Sequence, residues 1–138
     1  MGHILEWNDQ YKTGVRAIDA DHRRLFALIN KAIFDLRRGR FNGEHWSKEL
    51  NSYAAEHFMR EELLMERYLP NWEQRSAHVR EHRQYWQKLT HLEQMVDMDE
   101  REAFLRGWWT SHVMIWDKSL GQKLQQVQDQ NGLPRVGA

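Results

Sequence analysis

Four stretches of this chain repeat apolar residues at helical spacing, and five of the residues on those apolar stripes are histidines. A helix with one apolar face must bury that face against another element, so histidines placed on it go into the interior with it. His57 and Glu61 are four residues apart, and so are His78 and His82. On an α-helix such pairs share one face, about 5–6 Å apart at Cβ. His22 lies near the start of the chain, and His112 with Asp117 near its end. Any fold that satisfies the four stripes therefore brings imidazoles and carboxylates together inside it.

Residues 1–18 lack helical periodicity. Trp7, Tyr11, Val15 and Ile18 are scattered apolar anchors around Gly14, which reads as an extended arm packed against the body. Asp19 is positioned to cap the first helix, since its carboxylate can accept from free backbone N–H groups. His22, Phe26, Ile29, Ile33 and Leu36 form that helix's stripe, and Gly39 and Gly43 end it. The second helix is expected over about 44–68, with Trp46, Leu50, Tyr53, His57, Glu61, Leu64 and Tyr68 facing inward. It stops before Pro70, because the residue preceding a proline is pushed out of the helical region. The third starts soon after Asn71 and runs to about Met95, lined by His78, His82, Tyr85, Leu89 and Leu92. A short acidic break at 96–99 offers Asp97 or Asp99 as a cap for the fourth helix, about 100–118. Its apolar side is Phe104, Leu105, Trp108, Trp109, His112, Ile115 and Trp116. Residues 120–127 continue helically after a kink at Gly121, and 132–138 read as a loose tail. The expected fold is all-α, an antiparallel up-down-up-down four-helix bundle with an extended N-terminal arm. The chain reads as one domain over 1–138, with the arm at 1–18, the bundle at about 19–118 and a C-terminal extension at about 119–138.

The 138 residues suffice for one core. Lys plus Arg equals Asp plus Glu, 20 each, which gives no support for nucleic-acid binding. There is no cysteine, so disulfides, thiolate zinc sites and iron–sulfur clusters are excluded. No apolar run reads as a signal peptide or membrane span, so a cytoplasmic protein is the default expectation.

Taken singly, each histidine has a plain reading as a core or boundary residue, and His57 with Glu61 as an i,i+4 hydrogen bond. The joint pattern is different. Burying five imidazoles without partners would cost several kcal/mol, and one shared metal site satisfies all of them. His3, His45 and His91 look like surface residues. Imidazole and carboxylate suit zinc, iron, manganese or nickel. Seven ligands are too many for one zinc, which takes four, but suit two six-coordinate ions. If Glu61, Asp117 and one solvent-derived group bridge, each ion has three shared oxygens. Five histidines then divide three and two, which fills one ion and leaves one position open on the other. Asp117 is five residues after His112, about 140° round an ideal helix, so a shifted helix end or a bridging geometry has to bring the two together. The Glu-x-x-His motif of carboxylate-rich di-iron bundles occurs nowhere in the chain.

The segments Ile18-Asp19-Ala20-Asp21-His22, His57-Phe58-Met59-Arg60-Glu61-Glu62, His78-Val79-Arg80-Glu81-His82 and His112-Val113-Met114-Ile115-Trp116-Asp117 resemble the hemerythrin family, in particular its single-domain bacteriohemerythrins. With Trp7 and Gly14 the resemblance covers nearly the whole chain, in the family's ligand order. It implies two non-haem irons, carboxylate-bridged with an oxo or hydroxo bridge, and reversible O2 binding rather than enzymatic turnover. It implies that His78, His82 and His112 hold the coordinatively full iron, that His22 and His57 hold the open one, and that Glu61 and Asp117 bridge. The O2 pocket would be Leu25, Phe58, Trp108, Trp109 and Val113, whose plain reading is core packing; the indole of Trp109 would narrow it. An apolar wall there keeps water and protons out. The expected role is O2 transport, storage or delivery to an O2-consuming enzyme, by a monomer. The alternatives are a di-iron oxidase or peroxidase, which turnover with peroxide release would reveal, and an O2 or redox sensor or iron-buffering module. Trp46 and Trp72 read as surface aromatics.

Overall fold

The computed structural model describes residues 5–95 and 97–131. Among them the secondary structure is entirely helical, and the fold is the expected antiparallel four-helix bundle. Helix α1 spans Arg16–Arg37, α2 Gly43–Tyr68, α3 Arg75–Thr90 and α4 Met98–Ser111. After a π turn at His112–Asp117 the fourth rod continues without a break as α5, Lys118–Asn131.

Several boundaries differ from the sequence reading, each for a local reason. Helix α1 begins at Arg16, and Val15 occupies its N-cap with no side-chain bond. Asp19 caps from inside the first turn. Its carboxylate accepts from the Thr13 amide at 2.8 Å, the Thr13 hydroxyl at 2.9 Å and the Gly14 amide at 3.3 Å, holding the arm's end against the helix it precedes. Asn42 caps α2 by accepting from the His45 amide, and α2 ends at Tyr68 before Leu69 and Pro70 as expected. Helix α3 ends at Thr90, a turn before Met95. A 3₁₀ turn at Leu92–Gln94 tightens the end of the rod and still buries Leu92. Asp97 caps α4 through the Asp99 amide.

Nothing kinks the chain at Gly121; the irregularity of the fourth rod is the π turn before it. Gly121 is instead where the arm crosses α5. A Cβ there would run into the Thr13 carbonyl, so only glycine admits this approach. Gly14 faces the Gln125 side chain with φ +86°, a left-handed conformation that glycine adopts freely. The arm is further tied to α1 by a reciprocal pair: the Leu5 amide donates to Asn30 Oδ1 at 2.8 Å, and Asn30 Nδ2 donates to the Leu5 carbonyl at 2.7 Å. The tail at 132–138 lies outside the described residues.

The inward stripe of α2 is rotated from the expected one. Ala54, Phe58 and Met65 are buried, Leu64 and Tyr68 only half-buried, and Tyr53 is exposed. The small side chain of Ala54 is fully buried, and the large ring of Tyr53 stays outside. Trp46 is buried, as its place on the α2 stripe predicts and against its reading as a surface aromatic, its indole N–H donating to Asp35 of α1 at 3.1 Å. Trp72 is half-buried. Ile115 is 64% exposed, because the π turn carries it away from the core. The interior divides into two apolar clusters. One gathers Leu25, Phe58, Tyr85, Trp109 and Val113, the other Ile18, Met65, Leu69, Leu120 and Leu124. On each rod the chain passes from one cluster to the other through a polar residue. On α1 that residue is His22, on α2 Glu61, on α3 His78 and His82, and on the fourth rod Asp117. The bundle thus holds one polar layer between two dry ones.

Candidate metal centre

All seven residues singled out from the sequence meet in that layer, and all are buried. Their ligand atoms form two overlapping groups, each with every atom within 4.8 Å of the others. One contains Glu61, His78, His82, His112 and Asp117. The other contains His22, His57, Glu61 and Asp117. Glu61 and Asp117 alone belong to both.

Asp117 turns one oxygen to each group. Its Oδ2 lies 2.7 Å from His22 Nε2 and 3.4 Å from His57 Nε2. Its Oδ1 lies 3.0 Å from His78 Nε2 and 2.9 Å from His112 Nε2. Glu61 Oε1 sits 3.0 Å from His82 Nε2, 3.4 Å from His57 Nε2, 3.5 Å from His78 Nε2 and 3.8 Å from His112 Nε2. All five imidazoles direct Nε2 toward the same centre. Residues four apart supply the pairs on α2 and α3. The pair on the fourth rod needs the π turn, whose i→i+5 ladder brings His112 and Asp117, five apart, to one face.

Hydrogen bonding leaves this layer incomplete. His22 Nε2 and His57 Nε2 face each other at 3.2 Å. Glu61 Oε2 and His112 Nε2 are buried without a hydrogen-bond partner, although His112 Nε2 is close to an oxygen of Asp117. Buried polar atoms are ordinarily satisfied, so lone pairs converging on one point without aligned donors fit a cation. The charges fit it too. Burial alone would lower the His57 imidazole, but the Glu61 charge and the hydrogen bonds to Asp117 and Asp21 raise it to about 10. Burial is likewise outweighed at His78, held at about 9 by Asp117 and Glu61, and at His112, raised well above its ordinary value chiefly by Asp117. The carboxyls go the other way. Burial and the charge of Asp117 push Glu61 up, yet His57, His112 and His78 hold it below the usual range. Burial pushes Asp117 up, and His112, His22 and His57 hold it well down. Two buried carboxylates that draw protons onto imidazoles present the same field to a metal ion, and imidazole with carboxylate suits the first-row divalent metals.

Around this layer are carboxylates that the sequence reading passed over. His57 Nδ1 meets Asp21 Oδ2 at 3.1 Å, and Arg60 donates to Asp21 at 2.8 and 3.4 Å. His82 Nδ1 meets Glu62 Oε2 at 2.8 Å. Glu81 stands 4.0 Å from His112 Nδ1. All four residues lie inside the motifs quoted from the sequence. The available signal was that a buried histidine with one nitrogen inward needs an acceptor at the other.

The five aromatic and aliphatic residues expected to wall the pocket also adjoin the layer or its apolar cluster. Phe58 stacks on His82 at 3.9 Å between ring centroids. Trp108 stacks on His112 at 4.6 Å and is half-buried. Trp109 is buried, lies 5.9 Å from His57 and 6.0 Å from His112, and donates its indole N–H to Tyr85 at 3.1 Å. Leu25 and Val113 are buried in the same cluster. His45 and His91 are exposed, as expected; His3 is outside the described residues.

Residues 13–124 match the family model described as the hemerythrin HHE cation binding domain. Bacteriohemerythrin of Pseudomonas aeruginosa is 28% identical over 123 residues, covering 82% of this chain and 76% of its own. Bacteriohemerythrin of Clostridium acetobutylicum is 27% identical over 128 residues, covering 83% of this chain and 97% of its own. No solved structure matches the chain significantly. With the model spanning most of the bundle and the buried imidazole–carboxylate layer in place, the chain belongs to the hemerythrin family.

Proposed function

We propose that this protein binds O2 reversibly at a non-haem di-iron centre, for oxygen transport, storage or delivery. In this reading His78, His82 and His112 hold one iron, His22 and His57 the other, and Glu61 and Asp117 bridge them. The observation that carries it is the sharing: two groups of buried donors overlap only at two carboxylates, and Asp117 gives one oxygen to each. The group with three histidines fills its ion; the group with two leaves room for a small ligand. Iron bound there supplies the reversible exchange of electrons with O2 that binding requires.

The chain's own residues do the rest. The five imidazoles and two carboxylates are carried by four rods, which bring them to one layer. Phe58, Trp109, Leu25 and Val113 form an apolar wall that excludes water and protons from the layer. Trp108 covers the face of His112. No described helix is long and apolar enough to cross a membrane. The reading extends to a single-domain monomer in the cytoplasm that passes O2 to an O2-consuming enzyme.

Metal analysis and gas uptake test this together. The expected result is two irons per chain and uptake of one O2 per pair of irons, released under argon. One zinc per chain, or uptake without release, would overturn it. Stoichiometric peroxide would favour an oxidase or peroxidase.

A further inference from the structure

The five imidazoles of the metal layer differ at their outer nitrogens. Those of His22, His78 and His112 have no hydrogen-bond partner among the described residues. That of His82 meets Glu62, whose side chain is 40% exposed. Only His57 meets a carboxylate that is itself buried and held in place. Asp21 projects from α1, its side chain 10% exposed, and its Oδ2 accepts from His57 Nδ1 of α2 at 3.1 Å. The same oxygen accepts from Arg60 Nε at 2.8 Å, and Oδ1 takes a second, longer bond from Arg60 Nη2 at 3.4 Å. A carboxylate paired with the Arg60 guanidinium has no hydrogen of its own to give, so it accepts from both partners. His57 Nδ1 must then carry the hydrogen, and its Nε2 lone pair is left for the centre.

We propose that Asp21, clamped by Arg60, is the positioning residue that fixes the tautomer and ring plane of His57 for the ion held by only two histidines. The proposal rests on the two-ion reading of the centre. The ion with three histidines has ligands to spare for its orientation. The other depends on His22, which has no outer partner, and on His57, so one loosened ring removes half of its nitrogen ligands. Outer partners of metal-bound histidines typically contribute ten- to a hundredfold in affinity. Here that contribution falls on one ion of the pair and is delivered from two helices at once. His57 and Arg60 stand three apart on α2, so both meet Asp21 as it comes across from α1.

The test uses the full chain and Fe(II) titrated anaerobically, with chelator competition to resolve the two ions. Three variants are compared: Asp21→Ala, Asp21→Asn and Arg60→Met. Asp21→Asn keeps an acceptor oxygen for His57, and Arg60 is partly exposed, so both leave the fold intact. The expected result for Asp21→Ala is one ion bound as in wild type and the other weakened about ten- to a hundredfold. Asp21→Asn restores most of the affinity, and Arg60→Met falls between. If wild type binds two ions and all three variants bind both with wild-type affinity, Asp21 does not position His57. The proposal is also overturned if both ions weaken equally in Asp21→Asn. If wild type itself binds only one ion, the two-ion reading fails first, and the proposal with it.

Discussion

His112 Nε2 lies 2.9 Å from Asp117 Oδ1 although the two residues are five apart. On a regular α-helix they would diverge by about 140°; the π turn between them closes that angle. The turn accommodates one residue more than an α-helix would, and π turns of this kind recur at functional sites. The extra residue therefore serves the centre rather than the rod.

Deleting Ile115, whose side chain is largely exposed, tests this. The ladder can then close as i→i+4, and the flanking helices keep their faces. The metal-free deletion variant should retain its helix content and melt at or above the wild-type temperature, by circular dichroism. It should bind metal more weakly even though His112 and Asp117, now four apart, still share a face, because the shortened turn moves the Asp117 carboxylate off the point at which one oxygen meets each group. Wild-type affinity for two ions in this variant would contradict the role given to the turn.

Glu61 and His22 should behave differently on removal. Glu61 belongs to both donor groups, His22 to one. Glu61→Ala should lose both irons or keep a mononuclear remnant. His22→Ala should keep the ion of His78, His82 and His112. Metal analysis after gel filtration separates them, and equal, intact iron content in both would refute the assignment.

Removing metal should lower stability and change its pH dependence. Ions present at a thousandfold above Kd stabilise by about 4 kcal/mol, so the melting temperature should drop by several degrees on chelation. In the metal-free protein, His57 and His78 are raised to about 10 and about 9 from 6.5. Their contribution is present in full below 6.5 and is lost as pH rises through 9 to 10. Glu61 and Asp117 are lowered, so theirs is present above the ordinary carboxylate range and lost as pH falls through their depressed values. The metal-free protein should therefore be most stable in mildly acidic solution and weaken progressively as pH rises from about 6.5 to about 10. Metal uptake should run the opposite way. It displaces protons from the imidazoles, so affinity should rise with pH and loading should acidify a weak buffer. Affinity independent of pH from 6 to 9 would contradict this.

The seven residues of the centre were legible because burial repeats with the helix. His57 with Glu61, and His78 with His82, announce a shared face by spacing alone. His112 with Asp117 announced only a conflict, which nothing local resolves: 112–117 contains neither proline nor glycine, and the π turn answers to partners on other helices. Asp21, Glu62 and Glu81 were read past because each adjoins a stripe residue, where a polar side chain ordinarily faces water. Their partners all lie on other rods: His57 and Arg60 for Asp21, His82 for Glu62 and His112 for Glu81. Trp46 carries two readings in the sequence, on the inward stripe and at the surface, because the Asp35 carboxylate that satisfies its indole is on α1. On α2 the eye follows the aromatic ring of Tyr53, whereas close packing selects the small Ala54. The start of α1 was misplaced because Asp19 caps backward, onto Thr13 and Gly14, from within the helix.

The proposed function is reversible O2 binding at two irons that share Glu61 and Asp117. One redox cycle tests it most directly: reduce the iron-loaded protein anaerobically, admit O2, remove it, and follow the visible spectrum throughout. A charge-transfer band should appear with O2, disappear on deoxygenation and return over several cycles. A first exposure that oxidises both irons permanently and releases stoichiometric peroxide would contradict it.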